Sequence, residues 1–158
     1  MNADAILQAF AYHHVNAILI GGMNFALRHH LGTTYDVDFW VADSDENLRR
    51  VNEALRELGA QWGPSETTWG PVPEDSAWLR RQGVLCLSSP QGAIDIFRDV
   101  AGLEGQYAAC FERSTLAQTP TGIPYRSLAN ADMLACQMAL PEGLRRLDRV
   151  RYLKGLLP

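Results

Sequence analysis

The chain has 158 residues, 47% of them hydrophobic and 20% charged, the ordinary mixture of a globular domain. Fourteen basic against eighteen acidic side chains leave a net charge of −4, the opposite sign from a protein that grips a long polyanion by counterion release. A domain of this length buries roughly 68–70% of its unfolded surface, so it needs no metal or disulfide staple. Cys86, Cys110 and Cys136 are odd in number and unclustered, which argues against a disulfide framework or structural zinc and for a reducing cytoplasm. No apolar run approaches the ~20 residues of a membrane span, and the N-terminus lacks the basic region and cleavage site of a signal peptide. A membrane partner is therefore not expected.

In chain order, Met1–His14 places Ile6, Phe10 and His14 at helical spacing behind Asn2 as a cap. Val15–Ile20 reads as a short buried strand ended by Gly21-Gly22, and Met23–Leu31 as the helix that follows. Tyr35–Val41 alternates, with Tyr35, Val37, Phe39 and Val41 on one face and Asp36, Asp38 and Trp40 on the other. Ser44 caps an amphipathic helix whose stripe is Leu48, Val51, Leu55 and Leu58, closed by Gly59. Gln61–Asp75, rich in Gly, Pro, Trp and Thr, reads as a long irregular segment. Val84–Leu87 and Ala93–Phe97 form a hairpin. Leu103–Phe111 reads as a helix, and Thr115–Gln118 with Ile123–Arg126 as a second hairpin. Asn130 caps a helix to Leu140, and Glu142 opens a last, basic helix to Leu157. The order predicts an α+β (α/β) fold with a small mixed sheet flanked by helices. One domain spans residues 1–158, with a core over about 1–100 and a C-terminal hairpin and helices over about 101–158.

The chemistry lies in two short runs. On an extended strand, residues i and i+2 point the same way with Cα atoms about 6.6–6.8 Å apart, so Asp36 and Asp38 converge while apolar neighbours anchor the other face. Two such carboxylates repel unless a cation lies between them, and Mg²⁺ prefers oxygen ligands. Asp95, flanked by Ile94 and Ile96, supplies a third acid if its strand lies beside the first. Three carboxylates can hold two metals about 3.5–4 Å apart, the arrangement for in-line displacement at phosphorus. Gly21-Gly22 lets backbone approach closely at a helix N-terminus that offers free N–H groups to a phosphate. Singly, each feature has a plainer reading: D-x-D as a solvated turn, Gly-Gly as a tight turn, Asp95 as a surface acid.

Jointly, Ile18-Leu19-Ile20-Gly21-Gly22, a spacer, Asp36-Val37-Asp38-Phe39 and later Ile94-Asp95-Ile96 resemble the signature of the DNA polymerase β-like nucleotidyltransferase superfamily. Thr33-Thr34-Tyr35-Asp36-Val37-Asp38, with Glu46-Asn47-Leu48 and Ala54 to Gly59, is nearest to the bacterial AbiEii-type toxin nucleotidyltransferases and their uncharacterised relatives. The resemblance implies a minimal nucleotidyltransferase fold with C-terminal helices and a Mg²⁺-dependent activity, two ions being expected and Mn²⁺ an alternative. It implies transfer of a nucleoside monophosphate from a nucleoside triphosphate to a hydroxyl on an RNA end, a protein side chain or a small molecule. It further implies Asp36, Asp38 and Asp95 as metal ligands, Asp95 also as base, and Gly21 and Gly22 as the phosphate cradle, with Thr33 or Thr34 either donating a hydroxyl to a phosphate or stabilising the turn. A toxin role with an antitoxin protein as partner belongs to the same implication. The sequence departs from the pattern where lysines are usual: Gln137 and Leu147 stand there, and Arg145, Arg146, Arg149 and Lys154 are the candidate substitutes. That departure motivates a second reading, a catalytically impaired nucleotide- or protein-binding module. A third, a plain structural domain, requires the three aspartates to be scattered in space.

Elsewhere, adjacent residues of His13-His14 and His29-His30 point about 100° apart on a helix, which favours surface or packing roles. Arg28, close after the glycines, reads as a surface arginine, with a phosphate contact as the alternative. Trp62, Trp69 and Trp78 offer either base-stacking surfaces or the local core of a long loop.

Overall fold

A computed structural model describes residues 1–158, apart from the side chain of Glu66. Its frame is an eight-stranded mixed sheet in the order β4-β3-β5-β6-β2-β1-β8-β7. The strands are β1 Ala17–Ile20, β2 Asp36–Val41, β3 Gln61–Trp62, β4 Gly70–Pro71, β5 Val84–Ser89, β6 Gly92–Phe97, β7 Thr115–Gln118 and β8 Pro124–Ser127. The helices are α1 Ala3–Tyr12, α2 Gly21–His29, α3 Asp45–Glu57, α4 Tyr107–Arg113, α5 Asn130–Ala139 and α6 Leu147–Leu156. None is long and apolar enough to cross a membrane.

The alternation of β2 sorts two cores. Val37, Phe39 and Val41 face one side, with Ile6, Leu7 and Phe10 of α1 and Leu48, Val51 and Leu55 of α3. Trp40 faces the other with Ile18 and Ile20 of β1, Phe25 of α2, Leu128, Met133 of α5 and Leu153 of α6. The Trp40 indole donates to Arg98 O at 3.2 Å. Over β5 this second face is open, with Val84 and Cys86 exposed. The caps read from sequence on α1 and α3 are in place: the Asn2 side chain accepts from Ala5 N and that of Ser44 from Asn47 N.

Several boundaries differ from the sequence expectation. The helix expected to start at the Gly21-Gly22 pair includes that pair as its first turn and ends at His29, two residues short of Leu31. Gln61–Asp75 is irregular in part, yet β3 and β4 pair within it and join the sheet through Gln61 and Ser88. Trp62 and Trp78 are buried with ring centroids 5.1 Å apart, so they are local core, whereas Trp69 is exposed. The helix expected over Leu103–Phe111 begins at Tyr107, because Gly102 and Gly105 adopt positive φ. Asn130 does not cap α5, because its oxygen accepts from Arg28 Nε at 2.9 Å. The last helix is split: Glu142–Leu144 form a single 3₁₀ turn before α6 starts at Leu147. Tyr35 leaves the strand and is 85% exposed.

Buried amides fasten the loops. Asn52 of α3 donates to Pro73 O and Glu74 O at 3.0 and 2.8 Å and accepts from Trp78 Nε1 at 2.8 Å. Replacing it strands three polar groups, and each buried unsatisfied group costs about 1–3 kcal/mol. Asn52→Ala is expected to lower unfolding stability by roughly 2–4 kcal/mol in urea denaturation.

Candidate metal centre and phosphate cleft

Strand pairing brings the three aspartates together. β2 and β6 run parallel with Asp38 opposite Asp95, and the period of two places Asp36 on the same face as Asp38. One carboxylate oxygen from each of Asp36, Asp38 and Asp95 lies within 4.8 Å of the others. The scattered arrangement required by a plain structural domain is not what the chain adopts.

Asp38 is the buried member, 9% exposed. Burial first, then the charges of Asp36 and Asp95, push its carboxyl up to about 7, against the opposing effects of the Gly22 N–H bonded to it and of Arg149. Asp38 lies against the start of α2, which has no side-chain cap of its own, and a carboxylate at a helix N-terminus is favourable. This contact dictates glycine at position 21. Its φ is +64°, and a Cβ there would lie 1.8 Å from Asp38 Oδ2. Gly22 is constrained too: a Cβ would meet Thr34 Oγ1 at 2.7 Å. The Thr34 hydroxyl donates to Asp36 Oδ1. The Thr34 hydroxyl thus takes the turn-stabilising role, bound to Asp36, and the Gly22 N–H faces Asp38. Thr33 is exposed at the rim.

Burial also raises the Asp95 carboxyl, opposed by a hydrogen bond from Cys86, which faces it across the β5–β6 pair. No sequence motif marks Cys86; only strand register finds it. The donor set of three carboxylates is hard oxygen and fits Mg²⁺ or Mn²⁺, with the Cys86 thiol as the one soft neighbour.

An open cleft of about 390 Å³ adjoins the acids, lined by Gly22, Thr33, Thr34, Asp36, Asp38, Arg146 and Arg149, with Tyr35 at its edge. Of the four basic residues weighed as substitutes for the usual lysines, Arg146 and Arg149 reach this cleft. Arg145 does not: it donates to Leu140 O and Met138 O at the end of α5. Gln137 accepts from Arg146 N at 2.9 Å, so the residue at the expected lysine position fixes the start of α6. Burial and the neighbouring Arg146 lower the Arg149 guanidinium, opposed by Asp148, Asp38 and Asp36. Behind Gly21 and Arg149 lies an apolar cavity of about 210 Å³ walled by Phe25, Phe97, Leu128 and Met133.

The histidine pairs and Arg28 take other roles. His13 bonds Glu57 at 2.6 Å, and His29 packs on Phe25 and Tyr152. Arg28 is part-buried and donates to Asn130 Oδ1 and Ser127 Oγ, tying α2 to β8 and α5.

Burial of Asp38, with the charges beside it, fixes a pH dependence. Below about 4 Asp38 is protonated in both the folded and unfolded chain; between there and about 7 only the folded chain keeps the proton. Stability therefore falls as pH rises through that window and levels above it. Asp38→Asn should remove most of the fall, leaving the smaller part due to Asp95, and, in metal-free thermal denaturation at pH 8, raise stability by roughly 1–2 kcal/mol, an advantage that disappears near pH 4. Gly21→Ala should lower stability by about 2 kcal/mol or more, from positive φ and the clash with Asp38. In comparisons with known proteins, no protein-family model matches the chain and no curated protein gives a significant match.

Proposed function

We propose that the protein is a divalent-metal-dependent nucleotidyltransferase, moving a nucleoside monophosphate from a nucleoside triphosphate to a hydroxyl acceptor with release of pyrophosphate. The observation that carries this reading is the cleft in which Asp36 and Asp38, clustered with Asp95 beside it, face Arg146 and Arg149, neither of them paired with an acid among the described residues. Anions at one wall and cations at the other suit a phosphate chain whose charge is neutralised on both sides. Mg²⁺ or Mn²⁺ held by Asp36, Asp38 and Asp95 would neutralise the transferred phosphoryl group and lower the pKa of the acceptor hydroxyl.

The chain's own residues supply the rest. Arg146 and Arg149 hold the departing pyrophosphate, Arg149 from a partly buried position where its charge is poorly screened. The Thr34 hydroxyl and the Gly22 N–H fix the two carboxylates of β2. Asp95, its carboxyl raised by burial, accepts the acceptor's proton on a carboxylate oxygen. The apolar cavity behind Gly21 and Arg149 takes the planar base of the donor. The resemblance to AbiEii-type toxins extends the proposal to a cytoplasmic enzyme with an antitoxin partner, and leaves an RNA end, a protein side chain or a small molecule as acceptor. The reading as an impaired binding module rests on Gln137 and Leu147; Arg146 and Arg149 in the cleft supply the cationic charge that those two positions lack.

Calorimetric titration of ATP, GTP, CTP and UTP with Mg²⁺ tests the proposal. One nucleotide should bind in a metal-dependent manner, and the Asp36→Ala/Asp38→Ala protein should not bind it. Arg149→Gln should weaken binding by about 10- to 100-fold, the worth of a charge-assisted phosphate contact. Failure of all four nucleotides to bind the folded protein overturns the reading.

A further inference from the structure

A second apolar cavity, also of about 210 Å³, lies apart from the acidic cleft where the sheet is split. β1 and β8 are paired at one position only, Leu19 with Ser127, and towards Ala17 and Tyr125 the strands part. The gap is floored by Leu7, Phe10, Phe39 and Tyr125; Phe10 and Phe39 stack at 4.0 Å with an interplanar angle of 8°. An apolar cavity of roughly 150 Å³ stays dry and takes a benzene ring, so this one has room for a ring or a short alkyl chain.

Its mouth is charged. Arg126 lines the cavity beside Phe111, with its guanidinium 4.0 Å from the centre of that ring. Its Nη1 donates to Phe111 O at 3.3 Å and Ser114 Oγ at 3.1 Å, both neutral acceptors. Among the described residues no carboxylate pairs with it, although it is half-buried and desolvated cations are normally paired. Leu116, opposite Arg126 on β7, is 69% exposed at the same rim. An apolar hole with one unpaired guanidinium at its opening is complementary to an amphipathic monoanion. We infer that the split between β1 and β8 is a binding site for a small apolar carboxylate, its hydrocarbon part against Phe10 and Phe39 and its carboxylate on Arg126.

Phenylacetate, 2-phenylethanol and 2-phenylethylammonium carry one ring and three head-group charges, and they test the site in the wild-type protein by methyl NMR titration at pH 7.5. Phenylacetate should bind at least tenfold more tightly than the other two and shift the methyls of Leu7 and Leu116. In Arg126→Gln the preference over the alcohol should shrink to about twofold or less, and Arg126→Lys should retain part of it. Absence of binding by all three probes overturns the proposal, as does equal binding of the three. Shifts confined to Met133 and Leu153, in the cavity behind Gly21, also overturn it. The wild-type head-group comparison decides the matter even if the Arg126 variants fail to fold.

Discussion

Three carboxyl groups with oxygens within 4.8 Å of one another on a partly buried sheet face are the constraint around which the rest of this structure is arranged. Such a cluster is unfavourable unless its surroundings compensate it. Here the compensation is local and built from backbone. The start of α2 offers Asp38 an N–H from Gly22, and the absence of a side chain at Gly21 lets the helix end come close enough to offer it. The same carboxylate thus completes a helix and belongs to the acid cluster. A change that relaxes one role disturbs the other, because the junction of β1 and α2 and the position of Asp38 are a single packing problem.

The two faces of β2 divide the work. On one, Val37, Phe39 and Val41 lock the strand against α1 and α3; on the other, Asp36 and Asp95 meet solvent because the sheet is left open over β5, while Asp38 is buried between them. That division lets a rigid strand carry a strongly polar site. The cationic wall comes from elsewhere in the chain, on α6, whose beginning is held by the Gln137 side chain and by Arg145 bound to the end of α5. Basic residues that seem equivalent in sequence therefore separate into those that hold α6 and those that face the acids.

The sequence made the acids legible because their signal is local. A period of two plus apolar flanks puts Asp36 and Asp38 on one face, and Ile94 and Ile96 mark Asp95 as lying on a strand. The strand pairs and the capped helix α3 were legible for the same reason. What escaped depended on contacts between distant residues. Asn130 looks like a cap until Arg28 takes its oxygen. Tyr35 continues the alternation of β2 but lies just beyond the last residue that pairs with β6. Thr34 reads equally as a phosphate donor or a turn stabiliser, because nothing in the sequence says that Asp36 takes its hydroxyl. Cys86 carries no motif, and the register of β5 against β6 alone places it beside Asp95.

The site's parts are widely spaced along the chain, which has a kinetic consequence. Asp38 and Asp95 become neighbours only after α3, the β3–β4 excursion and the β5–β6 hairpin have closed a long parallel crossover. Arg149 joins them from the last helix. Parallel pairing of distant strands is slow because loop-closure entropy is lost before the new contacts offset it. Local pieces such as α1, α3 and the β5–β6 hairpin can form early without creating the charge cluster. The repulsion among the carboxylates is then met only when most of the core is already in place, so the site assembles late in folding and adds little to the early barrier.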